Sequence, residues 1–151
     1  MKNLTTTLCM VLLTLFAVTA KAQINQAAKP SLFSKIPTAV SLSETQLSNF
    51  FTTTKGENIL APLPGGLMLS GPVVSRVAKY SNLETVVIKL AAYNNSLFSL
   101  SKQTDAANNI TYVGKIINPL YADGFELKSN ADGSYELVKI DIEKILVTCN
   151  Q

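Results

Sequence analysis

Apolar and polar residues follow a helical period near the start of this chain and a strand period through most of the rest. In Leu42–Gly56, LSETQLSNFFTTTKG, the apolar residues Leu47, Phe50 and Phe51 recur at helical spacing. Ser43 stands at an N-cap position with Gln46 three residues on, the two halves of a capping box, and Leu42 and Leu47 hold the positions of a hydrophobic staple. Glu44 falls in the first turn, where the helix dipole favours a carboxylate. Lys55 followed by Gly56 ends the pattern. The spacing predicts a helix of about three turns whose Phe pair packs on a sheet.

After Gly56 the period changes. ENILAPLP reads as a strand stopped by Pro62 and Pro64, and Gly65-Gly66 as a turn. Val73–Tyr80 is half-buried in pattern. Glu84–Leu90 is the strongest strand, with Val86, Ile88 and Leu90 on one face. Asn94-Asn95 marks a loop. Leu97–Gln103 and Ile110–Asn118 pair across a hairpin loop at Asp105–Asn109, with Gly114 read as a bulge and Pro119 as a stop. Gly124–Ser129 and Ser134–Ile142 follow. The tail from Val138 fits both periods; its β-branched content favours a strand, with a bulge or corner near Glu143-Lys144 where the alternation changes phase.

Two Ala-Asp-Gly triplets, at Asp123 and Asp132, raise the question of a metal or catalytic pair. Asp132-Gly133 lies between two alternating runs, which is a strong hairpin signal because Gly takes positive φ without steric cost. Asp123-Gly124 marks the entry to a strand in the same way. A calcium loop through Asn130, Asp132 and Gly133 would put Lys128 and Lys139 at its first and last ligand positions, and two cations disqualify it.

The N-terminus carries a different pattern. Lys2 precedes an apolar run from Leu8 to Ala20, and Ala20-Lys21-Ala22 offers small residues at the −3 and −1 positions of a cleavage site. This is the layout of a secretory signal peptide over residues 1–22, cleaved after Ala22, for a secreted or periplasmic protein. The run is shorter than the ~20 residues of a membrane span, so no transmembrane segment is expected in the mature chain. Leu8 stands where a lipoprotein signal would need a small residue before Cys9. Residues 23–41 carry Pro30 and Pro37 without periodicity and read as a flexible or extended lead-in, with Leu32, Phe33 and Ile36 available to dock. Residues 42–151 form a single β-rich domain.

Charge and composition then narrow the chemistry. The chain has 151 residues and a net charge of +3; Lys2 and Lys21 leave with the signal peptide, so the mature charge falls to +1. That gives no basis for nucleic-acid binding. Cys149 is the one cysteine left after Cys9 is removed. It is expected to be a partly buried thiol, with a disulfide-linked dimer through Cys149 as the alternative. The chain contains no histidine, which removes Ser-His-Asp and Cys-His hydrolases and the usual zinc sites. No Gly-rich phosphate loop is present. Ser99 and Lys102 match a Ser-x-x-Lys motif, but on a strand the two face opposite sides. Glu126 and Glu136 are a carboxylate pair only if the last hairpin brings them together. Tyr80, Tyr93, Tyr112 and Tyr121 are candidate contact residues for a partner, each better explained as core or half-core. No catalytic, cofactor-binding or metal residue is assigned, and no cofactor is expected.

The stretches VVSRVAKYSNLETVVIKL, NNSLFSLSKQ and TYVGKIINPLYADGFELK resemble small secreted proteins of Bacteroidota-type bacteria, as does the Ala-Lys-Ala ending of the signal peptide. That resemblance implies no activity and no site. In layout alone, SETQLSNFF followed by Leu63-Pro64-Gly65-Gly66 is similar to the N-terminal prodomain region of secreted bacterial metalloproteases, although no protease domain follows. The expected architecture is α+β: an antiparallel β-sheet of about six to seven strands with one N-terminal capped α-helix, or alternatively a β-sandwich or barrel with the helix as a plug. The expected function is an exported, non-enzymatic binding or interaction module whose ligand the sequence does not identify, with a protein partner as one option. The alternatives are a prodomain-like protease inhibitor and, last, a small carboxylate- or Ser/Lys-dependent enzyme.

Overall fold

Both halves of the capping box form. In the computed structural model, which describes residues 28–148, Ser43 Oγ accepts from the Gln46 N–H at 3.2 Å and Gln46 Oε1 accepts from the Ser43 N–H at 2.9 Å. A short strand, β1 (Ala39–Leu42), precedes this cap, and the helix α1 (Glu44–Asn49) follows it. The helix is shorter than its apolar stripe predicts. Phe50 and Phe51 lie in the turn that closes it, and both are buried with Leu47.

The meander comes next: β2 (Asn58–Pro62), β3 (Met68–Tyr80), β4 (Leu83–Leu90), β5 (Ser96–Thr104), β6 (Ile110–Ile117), β7 (Asp123–Ser129) and β8 (Tyr135–Asp141). All neighbours are antiparallel, in the order β1-β8-β7-β6-β5-β4-β3-β2. The sheet therefore has eight strands, not six or seven, and the added one is β1, which lies in the segment read as lead-in. The sheet curls into a half-barrel. Its concave face holds the core, with Val86, Ile88 and Leu90 of β4 facing inward as their alternation predicts. Phe98, Leu100, Ile116, Phe125 and Leu137 line the same face.

Because β1 and β2 are opposite edges of the sheet, α1 has to cross the open side of the half-barrel between them. It fills that side with aromatic rings. Phe50 meets Phe98 edge-on at 5.5 Å, and Phe51 lies 6.1 Å from Tyr112. At one corner the two edges nearly close, where Pro37 packs against Gly65 and leaves no room for a side chain there.

The docking of the lead-in is explicit. Phe33 is fully buried between Tyr93 and Phe125, and Leu32 and Ile36 pack partly against the core. Asp123 accepts from the Leu32 N–H at 2.6 Å, from the Phe33 N–H at 3.0 Å and from the Ser31 hydroxyl. From the other side Lys139 Nζ donates to the Phe33 carbonyl at 2.8 Å and the Ile36 carbonyl at 2.7 Å. One carboxylate thus holds the donors of residues 31–33, and one ammonium holds acceptors at 33 and 36.

Two local expectations are corrected. The chain after Asp141 is not strand but a second helix, α2 (Ile142–Thr148). Asp141 Oδ1 accepts from the Glu143 and Lys144 N–H groups at 3.1 and 3.3 Å, a helix cap that outweighs the β-branched residues behind it. Gly114 is not a bulge. Its register with Leu100 is unbroken, and a Cβ there would press on the Ser99 carbonyl at 3.0 Å and the Phe98 ring at 3.3 Å. The register shifts lie in β3 instead, between Val73 and Ser75 and between Ala78 and Tyr80. Residues 1–22, the first residues of the lead-in and Cys149 lie outside the described residues. Among the described residues no helix is long and apolar enough to cross a membrane.

Candidate binding groove

The sequence candidates are placed apart. Ser99 and Lys102 sit on opposite faces of β5. Lys102 turns inward, 3.3 Å from Glu84 and 5.0 Å over the Phe51 ring. Glu126 and Glu136 do not meet across the last hairpin: β7–β8 pairing sets Glu126 opposite Val138 and Glu136 opposite Lys128. Glu126 instead binds Lys128 and, at 3.2 Å, Lys115. The Lys128 hydrogen bond, with help from Lys115, holds its carboxyl below the ordinary value. The two Asp-Gly triplets do different work. Asp132 makes the predicted turn, accepting from the Ser134 N–H at 2.9 Å, with Gly133 at φ 82°. Asp123 is the buried clasp of the lead-in. Among the described residues no group of three or more His, Cys, Asp or Glu side chains is placed to hold a metal ion.

The tyrosines divide as well. Tyr112 is core, and its pKa is raised by burial and then by the nearby charge of Glu44. Tyr93 is half-buried against Phe33 and accepts from the Met68 N–H at 3.0 Å. Tyr121 is half-buried and bonded to Asn94, and Tyr80 alone of the four is largely exposed.

At the mouth beside the end of α1, three charges face inward. Glu84 Oε1 is 2.8 Å from Arg76 Nε, and Arg76 Nη1 donates to the Thr53 carbonyl at 3.0 Å. Burial alone would raise the Glu84 carboxyl; the hydrogen bonds and charges of Arg76 and Lys102 outweigh it and bring it below the ordinary value. This cluster fastens the segment after α1 to β3, and all its members are engaged.

A groove of about 350 Å³ runs between α1 and β2. Gln46, Asn49, Phe50 and Thr53 form its helix-side wall, and residues Asn58 to Pro62 form the other. Its floor is apolar, from Phe50 and Ile59; its rim is amide and hydroxyl. None of these lining residues is charged. The strand wall is the free edge of the sheet. The Leu63 N–H donates to the Leu67 carbonyl at 2.8 Å, where the β2–β3 hairpin closes. Hydrogen-bonded pairs alternate along an antiparallel ladder, so the pairs at Ala61–Leu69 and Ile59–Gly71 are also bonded. Asn58 and Leu60 then turn their N–H and C=O groups outward, and Pro62 turns out a carbonyl alone.

A second hollow of about 430 Å³ lies by Thr38, Ala39, Ala122 and Ile140. Its charged walls are already committed: Asp123 and Lys139 to the lead-in, and Asp141 to the cap of α2.

Fold and groove together define an α+β half-barrel with an uncharged strand edge along the groove. No family model, curated protein or solved structure matches the chain. The groove was not legible in the sequence, because which strand forms an edge is a property of the sheet order. The one available signal was negative: β2 carries no Lys, Arg, Asp or Glu.

Proposed function

We propose that the protein is an exported, non-enzymatic interaction module that holds a partner polypeptide at the groove between α1 and β2. The observation that carries this reading is the groove itself. It follows a free strand edge, its floor is apolar, and no titratable side chain lines it, which suits binding and offers nothing for proton or group transfer. Export rests on the signal peptide read over residues 1–22. Residues 23–151 would be used as bait on envelope and secreted fractions, beside the same bait carrying Asn49→Arg. A stoichiometric partner held by the wild type and lost by the variant is the expected result. Equal recovery by both baits sinks the assignment to this groove. Including reductant in a parallel sample reports whether Cys149 links two copies.

A second reading, a prodomain-like protease inhibitor, draws on one arrangement. The capped helix, the edge strand and the Leu63-Pro64-Gly65-Gly66 turn occur in that order, and the turn is fixed against Pro37. It predicts slowed peptide cleavage by a co-secreted protease at near-equimolar dose. No slowing across those proteases removes it. The enzyme reading draws no support here, since neither the Ser99–Lys102 pair nor the Glu126–Glu136 pair comes together.

A further inference from the structure

We infer that the segment held in this groove is an uncharged, extended peptide strand that adds to the outer edge of β2. The inference rests on the interaction reading above and specifies its partner.

Three observations carry it. The first is the backbone. Asn58 and Leu60 present unpaired N–H and C=O groups along the groove, and a strand is the polypeptide form that satisfies such a row. The Pro62 end offers no N–H, so pairing runs over Asn58–Leu60 and stops there.

The second is charge. All nine lining residues are uncharged. A charged side chain entering between Phe50 and Ile59 would lose water and find no counter-ion among the lining residues. The amides of Gln46 and Asn49 and the hydroxyl of Thr53 complement a neutral polar or small apolar residue.

The third is the absence of charge at this edge. Exposed edges are commonly blunted by charge, above all by lysine. Here the central residue of the edge is Leu60, with 73% of its surface exposed, on a strand with no charge at all. Side chains alternate along an added strand. One set would enter the groove beside Ile59 and Ala61, and the other would lie over Leu60.

The test uses residues 23–151 and an acetylated, amidated heptapeptide of alternating threonine and valine, followed by backbone NMR. Saturable shifts centred on the Asn58 and Leu60 amides are expected. Methylating the five central peptide nitrogens should weaken binding at least tenfold. Lysine or glutamate at the three central positions should do the same. Leu60→Pro, which removes an outward N–H and no β2–β3 hydrogen bond, should weaken binding tenfold with an unchanged urea midpoint. Asn49→Asp should strengthen the lysine peptide at least threefold.

Binding that survives peptide methylation and Leu60→Pro overturns strand addition, as do shifts that map elsewhere or no binding at all. A concentration-dependent dimer that shifts Asn58 and Leu60 without peptide also overturns it, in favour of a second copy. If a captured partner is lost by Asn49→Arg but kept by Leu60→Pro, the interaction reading stands and the strand proposal falls.

Discussion

Asp123 and Asp132 occupy the same local sequence, Ala-Asp-Gly, and differ in what surrounds them. Asp132 is exposed, and its bonds to Ser134 hold its carboxyl below the ordinary value. Asp123 is buried and accepts from two backbone amides and one hydroxyl of the lead-in. Removing a buried acceptor strands its donors, whereas removing an exposed one returns them to water. Asp123→Ala is expected to cost about 2–4 kcal/mol and Asp132→Ala far less, read as shifts in urea midpoint at constant slope. Glu84 gives the acid side of the stability curve. Its carboxyl lies below its ordinary value of 4.5 in the folded chain. A depressed carboxylate contributes stability that is present above its unfolded pKa and lost as pH falls through the folded one. Stability from this group should therefore decline below pH 4.5. Glu84→Gln should be less stable than wild type at pH 7, and the gap should narrow toward acid; a constant gap would show that the carboxylate's charge contributes nothing.

Among the elements, α1 shows how little a short helix supplies by itself. A six-residue helix is far below the ~12–15 residues that are marginal in isolation, so packing has to hold it. Ser43→Ala should cost about 1 kcal/mol through the cap, and Phe50→Ala about 3–5 kcal/mol through the void left against Phe98. Near-equal losses in thermal or urea melts would contradict that order. The cap was readable because its residues are local to each other. Strands β2 to β8 were readable because a Gly, Pro or Asn signal separates each from the next. Strand β1 was not, since AVSL is too short for a period and becomes a strand only through β8, far along the chain. Helix α2 was hidden by Val and Ile residues that suit either period, and Asp141 as a cap is visible only once the strand is known to end there. The groove belongs to the same class of fact: α1 and β2 were both predicted, but the gap between them depends on β2 being last in the sheet.

At the scale of the whole molecule, the half-barrel is closed by residues read from sequence as a lead-in. A chain beginning at Pro30 keeps the Asp123 and Lys139 contacts and the Phe33 core position. A chain beginning at Ala39 loses all three. The first should match the full mature chain in its urea midpoint, and the second should lose most of its near-UV circular dichroism or unfold outright. Equal stability of the two would mean that the clasp is ornamental. The same clasp sets an order of events. The bond from Lys139 to Phe33 spans 106 residues, whereas strands β2 to β8 each pair with their chain neighbour. Closing so long a loop costs entropy that only a preformed receptor repays. The meander should condense first, and residues 30–42, the earliest of the described residues to be synthesised, should be the last to settle. Contacts absent from the transition state govern how fast a protein comes apart rather than how fast it assembles. Asp123→Ala should therefore accelerate unfolding and leave the refolding rate nearly unchanged, which makes the clasp a latch on the lifetime of the native state.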